Sequence, residues 1–179
     1  ECPRGNRASF VMNMLFLAVF PLAMIFGALW DLTTMTIPNP LTIALAAMFV
    51  VLVPFAGLTL SAIALHVAAG ALMLVAGMAL FAFGWIGGGD AKFVAAIALW
   101  IGWYDLLGYL VIASVLGGAL TLALLWFRHM PLPPALYRYD WIARLHNKTE
   151  GVPYGIALAA AGLVLFPQTV WLEAAARAA

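Results

Sequence analysis

From Leu32 to Gly89 the chain carries no Asp, Glu, Lys or Arg. No water-soluble domain covers itself with so little charge, because the polar residues left over are too few to face solvent. Charged residues are 8% of the whole 179-residue sequence, which also excludes a large apolar core beneath a polar shell. The expected fold class is therefore all-α, a polytopic membrane protein. A net charge of +1 gives no case for a nucleic-acid partner.

Six apolar runs are expected to be transmembrane helices. The first, Phe10 to Trp30, spans about 30 Å at ~1.5 Å per residue, one bilayer core. It holds Pro21, a potential kink, and is followed by Asp31, the polar stretch Thr33 to Thr36 and an Ile37-Pro38-Asn39-Pro40 turn. The second is Leu41 to Ala56. The third is Ser61 to Phe83, with Ser61 as its expected N-cap. The fourth, Asp90 to Trp103, is short. The fifth, Leu106 to Phe127, has Asp105 as its expected N-cap. The sixth is Val152 to Leu172. Residues 10–172 read as a single transmembrane domain. Glycines Gly70, Gly77, Gly117 and Gly118 read as helix-packing contacts. Residues 1–9 read as a separate N-terminal segment, cut short or foreign to the natural chain, because no initiator Met precedes them. The single cysteine, Cys2, makes neither an intrachain disulfide nor a CxxC metal site.

Arg128 to Gly151 is the only sizeable polar segment, with Leu136 to Leu145 expected as a short amphipathic surface helix. With six spans, Lys92, Arg128, Arg138, Arg144 and Lys148 share one face, against Arg4, Arg7 and Arg177 on the other. The positive-inside rule then makes residues 128–151 a cytoplasmic basic loop and puts Asp31 and Asp90 on the cytoplasmic side. The loop reads as a topology determinant, with anionic lipid or an assembly partner as alternatives.

Asp31 closes the first span and Asp90 opens the fourth, so both are expected at one membrane boundary. Acids at membrane depth are costly unless paired, protonated or hydrated, which makes each a functional candidate. Beside Asp90 stands Gly87-Gly88-Gly89. Glycines there permit unusual backbone conformations, close approach by another chain, and pairing of a substrate strand with exposed N–H and C=O groups. Two such acids can share a proton. One then acts as base on a water while the other, protonated, polarises a scissile carbonyl. That is aspartic peptide hydrolysis, and it requires no metal or cofactor. Asp90 at a helix N-terminus and Asp31 at a helix C-terminus would make Asp90 the base and Asp31 the proton holder.

Several motifs carry a resemblance to a known family. Gly87-Gly88-Gly89-Asp90 looks like the GxGD motif of intramembrane aspartic proteases. Asp31 followed by Ile37-Pro38-Asn39-x-Leu41-Thr42 resembles the first-aspartate motif of bacterial type IV prepilin peptidases. Asp90-Ala91-Lys92 is similar to that family's GD-x-K element, and Val152-Pro153-Tyr154-Gly155-Ile156-Ala157-Leu158 to its late PYG-x-A-L element. The resemblance extends over about residues 10–172. It implies a membrane aspartic endopeptidase of the bacterial inner membrane, with Asp31 and Asp90 as the catalytic pair. Its partner would be a prepilin substrate, whose basic leader peptide is cut after a glycine on the cytoplasmic side. Larger members insert a cytoplasmic domain linked to N-methylation between the first two spans. Here only Thr33 to Asn39 joins them, which resembles the small peptidase-only members of the Flp or tight-adherence type.

Supporting residues expected at the site are Gly87, Gly89, Lys92, Pro38, Asn39, Pro153, Tyr154 and Gly155. Lys92 either binds an acidic substrate residue, acts electrostatically on the two acids, or is a snorkelling lysine. Pro153-Tyr154-Gly155 either lines the site or punctuates a helix start. His66 reads as a neutral, satisfied histidine of the opposite face, and His129 and His146 have no metal-like spacing. Membrane lipid and other pilus-assembly proteins are further expected partners. The competing function is a small ion- or proton-coupled transporter using the two acids as a relay. A non-catalytic scaffold is a further alternative.

Overall fold

The computed structural model describes residues 7–178. Cys2, Arg4 and most of the separate N-terminal segment lie outside the described residues. Every expected apolar run is helical: α1 (Arg7–Thr34), α2 (Asn39–Leu52), α3 (Leu60–Ala82), α4 (Gly88–Ile101), α5 (Leu106–His129), α6 (Asp140–His146), α7 (Tyr154–Leu165) and α8 (Val170–Ala178). The protein is an all-α membrane protein. Three helices are long and apolar enough to cross a bilayer, over Val11–Thr34, Leu60–Ala82 and Leu106–His129. A fourth crossing exists if α7 and α8, bent by 47° at their junction, are one span. Of the six spans expected from hydropathy, three or four are thus present as helices long and apolar enough to cross.

Of the short apolar helices, α4 is an inner one, whereas α2 exposes Ile43, Val50 and Val51. α4 and α2 have 14 residues each, about 21 Å of helix. α4 packs against α3, α2 and α7, while α7 sits between α1 and α5. Phe93, Ile97 and Trp100 of α4 are fully buried. A helix wrapped by protein need not match the hydrocarbon thickness, so α4 stays short without cost. The outward faces of α1, α3 and α5 expose Leu22, Leu29, Val75, Val115 and Leu122, an apolar surface suited to lipid rather than water.

Small residues let these helices close on one another. A Cβ on Gly77 would lie 3.0 Å from both Cα and Cβ of Ala91, and one on Gly70 would lie 3.1 Å from Leu99 Cβ. The α3–α4 contact is therefore backbone against side chain, as the sequence implied for this pair. Gly77→Val is expected to destabilise the protein by about 1–3 kcal/mol through overpacking, read as a lower thermal midpoint in detergent. Gly117 packs against Tyr154, but Gly118 has open space where its Cβ would stand and is not a packing contact.

Local chemistry moves several expected boundaries. α1 runs on through Thr34, with the Thr33 and Thr34 hydroxyls donating back to the Leu29 and Trp30 carbonyls. α3 is capped by Thr59, whose hydroxyl accepts the Ala62 N–H, and not by Ser61. Asp105 precedes α5 but makes no side-chain cap. The expected sixth span is two helices. Pro167 lies in the 3-10 turn Phe166–Gln168, and Thr169 turns its hydroxyl onto the Phe166 carbonyl before α8 begins. The surface helix expected over 136–145 is a 3-10 turn, Pro134–Arg138, and then the short α6.

At the end remote from Asp31 and Asp90, aromatic rings form a knot. Trp100 and Trp171 lie with centroids 4.6 Å apart, flanked by Phe20, Phe49 and Phe166. Both indole N–H groups donate to carbonyls, Trp100 to Leu45 and Trp171 to Trp100. His66 is buried beside this knot, its Nδ1 2.9 Å from the Leu99 carbonyl. It is a satisfied core histidine, as expected.

Candidate active site

Asp31 lies in the last turn of α1. The helix ends where Met35 adopts a left-handed conformation (φ 55°) and donates its N–H to the Asp31 carbonyl. That turn sends Ile37-Pro38-Asn39 back across the helix end, and Pro38 then takes the N-cap position of α2. The Asp31 side chain is only 3% exposed. Its Oδ2 accepts the backbone N–H of Gly155 at 2.8 Å. That donor is free because it belongs to the first turn of α7, where no helical carbonyl precedes it. Pro153 holds the N-cap position of α7. Gly155 is required by space: a Cβ there would stand 2.7 Å from Asp31 Oδ2 and 2.9 Å from Ile37 Cδ1.

Asp90 is the third residue of α4, and Gly87 is its N-cap residue. The Asp90 carboxyl folds back over its own N-cap residue: a Cβ on Gly87 would lie 2.9 Å from Asp90 Oδ2. The glycine run does not act as anticipated. Gly88 and Gly89 form the first helical turn rather than an extended edge for a substrate strand. None of the three has positive φ; nearby, only Gly84 does. Their function here is close approach. A Cβ on Gly89 would lie 3.3 Å from Ile37, and one on Gly88 3.2 Å from Phe81.

The fold thus gathers what the sequence scatters. Gly89, next to Asp90, and Gly155, bonded to Asp31, both close on Ile37. Through that shared contact the two acids stand at one end of the bundle. Both also face helix N-termini, Asp90 that of α4 and Asp31 that of α7. The expected division of labour took account of α1 and α4 alone, so the helix dipoles no longer separate base from proton holder.

Lys92 is exposed, and its Nζ donates to Asn39 Oδ1 at 3.0 Å. It ties the turn after Asp31 to the helix of Asp90. Asn39→Ala and Lys92→Met are each expected to cost under about 1 kcal/mol, the double variant no more than either alone. Thermal unfolding of the four proteins in detergent reads this.

Tyr154 is half exposed, rests on Gly117 and pairs its hydroxyl with Thr121 Oγ1 at 3.1 Å. With Asp90 it lines a cleft of about 660 Å³ between α3 and α5. Sequence reasoning missed Thr121 and the positioning part of Ile37, since neither has chemistry that marks it. It also treated the basic loop as free charge. Arg128 is buried, donating to the carbonyls of Leu145 and Gly151, and Arg144 donates to the Thr33 carbonyl at the end of α1. Two of its cations therefore fasten the loop over the Asp31 end of the bundle.

Comparison with known proteins gives one match. A model of the type IV leader peptidase family matches residues 18–122, more than half of the chain. The matched stretch holds Asp31, the Ile37-Pro38-Asn39 turn, Asp90 and Lys92. It stops before Pro153-Tyr154-Gly155, so it is narrower than the resemblance noted above. No curated protein and no solved structure matches.

Proposed function

Because the chain belongs to the type IV leader peptidase family, we propose that it is a membrane aspartic endopeptidase with Asp31 and Asp90 as its catalytic pair. The observation that carries this reading is the convergence of the buried Asp31 and the partly exposed Asp90 at one end of the bundle, each beside a helix N-terminus. One carboxylate takes a proton from a water molecule as the water oxygen bonds to the scissile carbonyl carbon. The other, protonated, gives its proton to the carbonyl oxygen. The tetrahedral diol then collapses: the C–N bond breaks, the proton first taken from water passes to the leaving nitrogen, and one diol hydroxyl returns its proton to the second carboxylate as the new C=O forms. Atoms and protons balance with water as the only co-reactant.

The substrate would be a type IV prepilin of the Flp class, cut after the glycine that ends its basic leader. The link of four residues, Met35 to Pro38, between α1 and α2 supports a peptidase without an inserted methyltransferase domain there. The basic loop of residues 128–151, fastened by Arg128 and Arg144 over the Asp31 end of the bundle, supports placing the site toward the cytoplasm, in the bacterial inner membrane. Purified protein in nanodiscs, incubated with a candidate prepilin, is expected to yield a new N-terminus by mass spectrometry. An uncut precursor alongside ion-gradient-driven flux through the protein would favour the transporter reading instead.

A further inference from the structure

The cleft beside Asp90 has properties the hydrolytic chemistry alone does not require. Its walls are α3 and α5, and its floor is α4 with the start of α7. Asp90 is the one carboxylate or cationic side chain lining it, at one end. The hydroxyls that reach it are already engaged, Ser114 with the Leu110 carbonyl at 2.7 Å and Tyr154 with Thr121. Apart from the indole N–H of Trp85, the rest of the wall carries no polar side-chain group. Residues flanking it on α3 and α5, Leu72, Val75, Val111 and Val115, are exposed and apolar, so the cleft is continuous with the lipid-facing surface.

Its size is that of a helix face. On α3 the lining runs from Met73 to Leu80, about 10 Å or two helical turns. On α5 it includes Gly117 and Gly118, and Gly118 has no atom within 4 Å of where a Cβ would stand. Bare backbone facing a vacant apolar space allows another helix to approach closely. An occupant must therefore come from the bilayer, be apolar for about two turns, and end in a polar, reacting group at Asp90.

Resting on the peptidase reading above, we propose that this cleft is the seat of the first two turns of the substrate's apolar helix. The helix enters sideways from lipid between α3 and α5, which sets the scissile amide beside Asp90. The enzyme then selects its substrate by the shape of the segment following the cut as well as by the leader preceding it.

The test compares two glycines of α5 that both have open space. Gly118→Leu fills the cleft, whereas Gly108→Leu, which is outside it, is the control for folding. Two substrates are used: a full precursor embedded in nanodiscs, and a soluble peptide carrying the leader and only the few residues past the cut. Gly118→Leu is expected to slow the embedded precursor at least about tenfold, the scale of forcing methylenes into filled space. The short peptide and every Gly108→Leu reaction should stay within about twofold of the unsubstituted rate. Equal losses on both substrates, or no loss on the embedded one, overturn the proposal.

A second measurement does not depend on turnover. In a Cys2→Ser, Asp90→Asn background, Gly118→Cys is expected to form a disulfide with cysteines in the first two turns of the precursor helix and not with later ones. A disulfide to a second copy of the chain, or none, overturns it. If the unsubstituted protein cuts neither substrate, the peptidase reading fails, and the crosslink still decides what occupies the cleft.

Discussion

Asp31→Asn and Asp90→Asn are each expected to reduce cleavage of a prepilin by about 10³- to 10⁴-fold while leaving the fold intact, because an amide can neither take the proton from water nor return it. The substitution is nearly isosteric. In Asp31→Asn the side-chain oxygen can still accept the Gly155 N–H that the carboxylate accepts at 2.8 Å, so the thermal midpoint should move by only a few degrees. Since the two acids act as one unit, the double variant should be little worse than either single one. Mass spectrometry of the precursor's new N-terminus and unfolding in detergent measure the two effects separately. Mature pilin appearing at a near-normal rate in either variant would remove that acid from the mechanism.

The second large effect is expected from a residue with no functional group. Gly155→Ala places a methyl 2.7 Å from Asp31 Oδ2, 3.0 Å from its Cγ and 2.9 Å from Ile37 Cδ1. Something must move. Ile37 Cδ1 can swing aside, but at 2.7 Å the carboxyl itself must yield, and it gives up its N–H donor as it does. A displacement of about 1 Å at a reacting group costs on the order of 10²-fold in rate. Alanine meanwhile suits a helix better than glycine by up to about 1 kcal/mol, which offsets part of the crowding. The expected signature is thus a much lower kcat at a little-changed thermal midpoint. Gly118→Ala, where space is open, is the matching control. Equal kcat in Gly155→Ala and the unsubstituted protein would mean that the Asp31 position is not set by α7.

How far the sequence led depends on what each residue interacts with. The charge-free run to Gly89 announced a membrane fold, since charge and hydropathy are properties of the chain itself. Hydropathy cannot tell burial in lipid from burial in protein, however, so α4 looked like a weak span when it is an inner helix. The break between α7 and α8 lay within a run read as one span, and Pro167-Gln168-Thr169 was its visible sign. Asp31 and Asp90 stood out as costly acids, and the resemblance drew attention to Gly155. That the Gly155 N–H meets a carboxylate 124 residues earlier has no local signature. Nor does the engagement of Arg128 and Arg144 with backbone carbonyls, because a count of cations says nothing about the acceptors they find.

The Trp100–Trp171 pair gives this protein a built-in optical gauge. The chain has seven tryptophans; Trp30, Trp85, Trp103, Trp126 and Trp141 are exposed, and these two are fully enclosed with centroids 4.6 Å apart. Fixed, tilted indoles at that separation couple their transitions, so the near-ultraviolet circular dichroism should be dominated by this one pair. It joins α4 to α8 at the far end from the acids. Its signal therefore reports whether a variant has folded, whatever has happened to its chemistry.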